Sequence, residues 1–316
     1  MKSFTKWIAS AGLACLISAC GGGSGPGNIA EVAQSNNLTA LVSAVNKAGL
    51  SGTLTATNAN LTVFAPTDAA FNTLATQLGF VNATAMVNAL SPADLASILT
   101  YHVLPSKKSA ADLQAGGPTQ ATAYSFGGTP TNLKLNIASG VAITDEVLTT
   151  AHVTRADVPA NNGVVHVIDK VLVPPGVLNV VQMAQANPTT FSSLVAAVVS
   201  TDLTSALSGA GPFTVFAPTN AAFSAAPSGL STSQLTSVLL YHVLSGQVLS
   251  TQITFGTPIN TLDTTKLNGG NVQQTITINS DLTITDTTAT AANIVATDIK
   301  AKNGVIHVID KVLIPN

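Results

Sequence analysis

The chain has 316 residues, only 8% of them charged, and a formal net charge of −2; a soluble domain usually carries roughly a quarter charged residues. Polarity has to come from Thr, Ser, Asn and Gln instead, and the one basic cluster, Lys107-Lys108, cannot neutralise a row of phosphates. Nucleic acid is excluded as a partner, and so is strong electrostatic steering.

Residues 1–19 read as a signal peptide, with Lys2 and Lys6 ahead of a mostly apolar run from Trp7 to Ile17. That run is too short to cross a membrane as a helix. It ends in Leu16-Ile17-Ser18-Ala19-Cys20, which resembles the lipobox of bacterial lipoproteins. The resemblance implies cleavage before Cys20 and acylation of its thiol, with residues 20–27 as a lipidated cysteine and a flexible glycine tether. Gly21, where inner-membrane retention uses Asp, is similar to an outer-membrane sorting signal in a Gram-negative host. Cys15 falls in the removed segment, so the mature chain keeps no cysteine for a disulfide or a thiolate metal site. The expectation is an exported body held at a membrane or cell surface by its lipid.

In chain order, Thr62-Val63-Phe64-Ala65-Pro66-Thr67-Asp68-Ala69-Ala70-Phe71 reads as a short strand entering a helix, with Thr67 as cap and Asp68 complementing the helix dipole. A helix-like stretch follows around Leu78 to Asn88. Ser91-Pro92-Ala93-Asp94 then starts another helix: a capping hydroxyl, a proline at the first position, an acid in the first turn. Its apolar stripe of Leu95, Ile98 and Leu99 continues to His102, which therefore points toward the core, and Pro105 closes the segment. Leu133, Leu135 and Ile137, then Val141 and Ile143, alternate around Ala138-Ser139-Gly140 as a hairpin. His152 stands near Asp145, Glu146 and Asp157 in sequence, a weak signal for a metal or acid-base site, and no metal is assigned there. Asp157-Val158 reads as loop, its carboxylate capping a turn. Asn162-Gly163 launches a strand, Val164 to Asp169, that is apolar on both faces. Alternation puts His166 on the face of Ile168 and Asp169 on the other, which disfavours a local His-Asp dyad. Pro174-Pro175-Gly176 marks a stiff join.

The same blocks then return in the same order. Thr214-Val215-Phe216-Ala217-Pro218-Thr219 repeats the first, Tyr241-His242-Val243-Leu244 repeats Tyr101-His102-Val103-Leu104, and Asn303-Gly304-Val305-Ile306-His307-Val308-Ile309-Asp310 repeats the last. Ser231-Thr232-Ser233-Gln234 opens the second Tyr-His helix as a capping box, and Ile276, Ile278, Leu282 and Ile284 form a second hairpin. The second copy lacks the helix-like stretch around Leu78 to Asn88. A repeat of about 140 residues suits an independent domain. On these blocks the chain resembles the fasciclin (FAS1) domain in two tandem copies, residues 28–174 and 175–316. The resemblance implies an α+β class, each copy a wedge-like β-sandwich packed with several α-helices.

It also implies a non-catalytic adhesion or binding module of surfaces and matrices, whose partner is a cell-surface protein, a polysaccharide or a matrix component. In animal members the Tyr-His pair and its flanking aliphatics are implicated in receptor binding, which points to Tyr101, His102, Val103, Leu104, Tyr241, His242, Val243 and Leu244. Asp157-Val158 and Asp298-Ile299 align with the Asp-Ile core of a proposed integrin-binding motif, without the Glu-Pro or Asn-Lys that precedes it there. An alternative implied by other relatives is a carrier of an apolar ligand, a carotenoid or lipid. No cofactor is expected, and no nucleophile elbow, phosphate loop or zinc motif occurs in the sequence.

Overall fold

The computed structural model describes residues 25–136, 141–267 and 270–316. The signal segment, Cys20, the tether as far as residue 24 and the hairpin tip at 137–140 lie outside the described residues. The first domain orders its helices as α1 (Ile29–Ser35), α2 (Thr39–Lys47), α3 (Ser51–Thr55), α4 (Asp68–Gln77), α5 (Ala83–Ala89), α6 (Pro92–Tyr101) and α7 (Ala110–Ala115). Its strands are β1 (Leu61–Pro66), β2 (Val103–Leu104), β3 (Thr119–Phe126), β4 (Thr129–Asn136), β5 (Ala142–Thr144), β6 (Thr150–Ala160) and β7 (Gly163–Ile168). They form one ladder in the order β2-β1-β7-β6-β5-β4-β3. Only β1 and β7 run parallel; the other neighbours are antiparallel.

The long strand β6 turns this ladder into two layers. Its start, Thr150 to His152, pairs with β5, and the rest pairs with β7 through two register shifts. Such bulges bend a strand and raise its twist. Phe64, Leu133, Leu135, Ile143 and Ile168 then meet between the two halves in a core of their own. On the other face of β1 and β7, Val63, Ala65, Val165 and Val167 pack against Leu41, Phe71, Leu95 and Leu99 from the helices. That double burial explains why β7 is buried at every position and apolar at all but His166.

The second domain repeats the plan with α8 (Val180–Gln185), α9 (Pro188–Ser200), α10 (Thr204–Ser208), α11 (Asn220–Ser224) and α12 (Thr232–Tyr241). Its ladder is β10-β11-β12-β13-β14-β8-β9, built from β8 (Phe213–Pro218), β9 (Val243–Ser245), β10 (Pro258–Asn260), β11 (Thr275–Ile278), β12 (Thr283–Thr285), β13 (Ala292–Ala301) and β14 (Gly304–Ile309). α5, which overlaps the stretch around Leu78 to Asn88, has no counterpart in the second copy, and a 3-10 turn at Ser250–Gln252 stands where the first has α7. Both hairpins are present: β4 pairs β5 and β11 pairs β12.

The join between the domains is buried rather than exposed. Leu172, Val173, Val177 and Leu178 are all at most 5% exposed. The sheet-interior cores stay separate, but the helix-side cores of the two domains run together into one cluster. Gly176 sits at φ +75°, donates its N–H to Lys300 (2.9 Å), and a Cβ there would lie 2.0 Å from the Phe126 ring. Across the join Glu146 accepts the Lys300 N–H (2.8 Å), Asn187 donates to the Val147 carbonyl (2.8 Å), and Lys302 pairs with Asp94 (3.1 Å).

Candidate functional site

Helix α6 forms where its caps say. Ser91 accepts the Asp94 N–H (3.0 Å), Pro92 holds the first helical position, and Leu95, Ile98 and Leu99 are buried. His102 is the C-cap residue, 2% exposed. Its Nε2 accepts the Leu172 N–H (2.9 Å), so the ring proton is on Nδ1 and donates to the Ile98 carbonyl (2.7 Å). The imidazole thus ties an orphan carbonyl of the last helical turn to an orphan N–H in the segment after β7. His242 does the same between Val238 (2.7 Å) and Leu313 (2.9 Å). Burial lowers both rings to about 4, so both are neutral at physiological pH.

The rest of the Tyr-His block lies inside as well. Tyr101, Leu104, Tyr241, Val243 and Leu244 are 1–2% exposed, and Val103 is half-buried. Tyr101 meets Tyr124 edge-to-face at 6.2 Å, and Tyr124 donates to the Pro175 carbonyl (2.9 Å). The Tyr241 hydroxyl donates to Thr275 (2.8 Å), and burial pushes that phenol up to about 12. The short strands β2 and β9 that follow pair with β1 and β8.

Asp157 corrects the loop reading. It lies within β6, and Asp298 within β13, each at a register shift and each with positive φ, 56° and 61°. Asp is among the few non-glycine residues that tolerate this backbone. The bulge turns each carboxylate away from the ladder. Asp157 Oδ1 accepts the Ala110 N–H at the start of α7 (2.8 Å); Asp298 accepts the Ser250 N–H (2.8 Å) and hydroxyl (2.5 Å). The same bulges point their N–H groups at His166 and His307. His166 Nδ1 accepts from Asp157 (3.2 Å), so its Nε2–H donates to the Lys108 carbonyl (3.0 Å), and the ring stacks on Phe64. His307 bonds the Val248 carbonyl (2.9 Å) and stacks on Phe216. Val158 and Ile299, the second residues of the two dipeptides, are buried.

The residues around His152 do not converge. The Asp169 carboxylate holds the His152 backbone N–H (2.7 Å), Asp157 is spent on α7 and Glu146 on Lys300. Among the described residues no three His, Cys, Asp or Glu side chains come together to hold a metal.

Three repeated devices escaped the sequence reading. Asn162, read as a turn residue, is buried, accepts the Ile29 N–H (3.0 Å) and donates to the Leu54 and Ala56 carbonyls; Asn303 does the same for Val180, Leu207 and Gly209. Thr62 bridges Ser106 and Lys108, as Thr214 bridges Gly246 and Val248. Asp145 takes the Val173 N–H (3.0 Å) and the Thr149 N–H and hydroxyl (2.9 and 3.1 Å), and burial pushes it up to about 7. Its counterpart Asp286 is also raised by burial, but Lys311 (2.6 Å), Thr288 and Ile314 outweigh that, and the carboxyl sits below its usual value. Recurrence of Asn162, Thr62 and Asp145 in both copies was the available signal.

A partly open apolar space lies on the helix side of the first domain. Beneath α1 and α2 the first domain holds a cavity of about 240 Å³ lined by apolar side chains, among them Ile29, Ala33, Leu41, Val45, Leu54 and Val63. The corresponding space in the second domain, against Val180, Ala184, Leu194, Val198 and Leu207, is about 30 Å³.

With two copies of one domain in place, the comparison with known sequences is decisive: the Fasciclin domain profile matches residues 36–174 and again 189–315. The chain belongs to the fasciclin domain family. Its similar proteins include protein sll1483 of Synechocystis, 38% identical over 149 residues, which are 44% of this chain and 74% of that protein. The transforming growth factor-beta-induced protein ig-h3 of Sus scrofa is 35% identical, and human periostin 34%, each over 52% of this fasciclin chain. The match spans only 23% and 19% of those two relatives' lengths. A solved fasciclin domain pair from the insect cell adhesion molecule Fasciclin I covers 90% of the chain and 94% of its own, at 18% identity and a TM-score of 0.41.

Proposed function

We propose that this fasciclin pair is a non-catalytic adhesion and binding module, exported and held at the membrane or cell surface by a lipid on Cys20. The observation that carries the reading is the duplicated fasciclin domain itself, matched over most of the chain. The chemistry of the motif supports its non-catalytic half. His102 and His242 have both ring nitrogens bonded to backbone groups, which leaves neither a free lone pair nor a free proton for transfer. The partner is a surface protein, a polysaccharide or a matrix component.

A strain lacking the protein, complemented with wild type or with Cys20→Ser, tests both parts. Wild type restores attachment to the native surface, and Cys20→Ser moves the protein from the detergent phase to the aqueous phase. Equal attachment with and without the protein would sink the adhesion reading, and unchanged partitioning of Cys20→Ser the anchor. The apolar cavity of the first domain favours a second reading, a carrier of an apolar ligand. Lipid analysis of protein purified from its own cells tests it: a stoichiometric apolar compound is expected, and its absence argues against a carrier.

A further inference from the structure

We propose that the cavity under α1 and α2 binds the alkyl chain of a single-chain amphiphile with an uncharged polar end, a fatty alcohol or monoacylglycerol, and that the second domain binds none. This rests on the carrier reading and assigns it a site. An apolar cavity of about 150 Å³ already binds benzene, whereas pockets for drug-sized molecules begin near 300 Å³. The 240 Å³ here falls between them. Scaled from the cavity that binds the six carbons of benzene, the space takes a chain of roughly eight to ten carbons. A forty-carbon carotenoid would extend well beyond it.

The difference between the domains has a side-chain cause. Ala30 and Leu61 line the first cavity; the repeat places the larger Val181 and Phe213 at these positions. The smaller second space thus goes with larger groups at two of the repeated positions. The end group follows from the mouth. Gln34, Asn46, Ser51, Thr53 and Thr55 edge the cavity, and no charged side chain lines it among the described residues. The remaining polar neighbours are already engaged: Thr100 donates to the Ala96 carbonyl (2.7 Å), and His102 has both nitrogens bonded. Hydroxyls and amides satisfy an alcohol or ester, while a carboxylate would find no cation to offset its desolvation.

The test is calorimetric titration of the mature chain, residues 20–316 with Cys20→Ser so that no covalent acyl group competes, using 1-octanol and, separately, octanoate at pH 7.5. One octanol per chain is expected, with octanoate at least tenfold weaker. Ala30→Val with Leu61→Phe, which copies the second domain, should weaken octanol at least tenfold at an unchanged or raised melting temperature. Ala33→Leu, filling the same space one turn further along α1, should do likewise. Unchanged octanol affinity in both folded variants, or two octanols per chain, would overturn the assigned site and leave the carrier reading standing. If octanol binds to no form and no apolar compound is extracted from native protein, both fall. Equal affinity for octanoate overturns the uncharged end group.

Discussion

His102 and His242 each join two backbone groups that no other residue reaches, so their removal should act on folding. His102→Ala or His242→Ala leaves a buried N–H at Leu172 or Leu313 without an acceptor, a loss of about 1–3 kcal/mol. Denaturant unfolding of the two variants checks this, and wild-type midpoints would remove the stapling role. The same residues set an acid limit. Their folded values, about 4, lie below the 6.5 of the unfolded chain, so below pH 6.5 the unfolded state binds more protons. Stability is therefore intact above pH 6.5 and is lost as the pH falls through 4, by up to about 3 kcal/mol per ring. Asp145 works in the opposite sense. Raised to about 7 from 3.8, it costs stability above pH 7, and that cost is relieved as the pH falls. Asp145→Asn should accordingly steepen the acid loss of the molecule, and a flatter pH profile in that variant would contradict the assignment.

At the scale of elements, legibility follows the range of the interaction. The start of α6 is readable because hydroxyl, proline and acid fall within four residues, and β7 is readable because both its faces are apolar. Asn162 looked like a turn residue because its partners at Ile29, Leu54 and Ala56 are more than a hundred residues away. The bulge at Asp157 is hidden in the sequence for a related reason: positive φ inside a strand leaves no periodic trace, and its helix partner Ala110 lies 47 residues earlier. Two variants separate the roles of this aspartate. Asp298→Gly keeps the backbone conformation but loses the bonds to Ser250, while Asp298→Ala loses both. We expect losses of about 1 kcal/mol for glycine and about 2 kcal/mol for alanine, from capping and left-handed strain respectively. Equal losses in thermal melts would show that the backbone conformation carries no cost.

For the whole molecule, complete blocks in each repeat suggest two domains with independent cores, yet only the sheet-interior cores are separate. The apolar residues of the join, Val173, Val177 and Leu178, show why: they serve a shared interior rather than a hinge. The intact chain should melt in one transition, and each half cut at Pro175 should melt lower, by about 2–4 °C for each kcal/mol of lost contact. Scanning calorimetry in which the two halves sum to the intact trace would refute the coupling.

That buried join also decides how the pair bears tension. A chain gripped at its N-terminal end and pulled by whatever the distal domain holds meets no slack between the domains. The first link to stretch is not a spacer but the packing of Val177 and Leu178, together with the Gly176 and Lys300 backbone bond. Under the proposed anchor at Cys20, the second domain would thus be presented through packed side chains rather than on a free spacer.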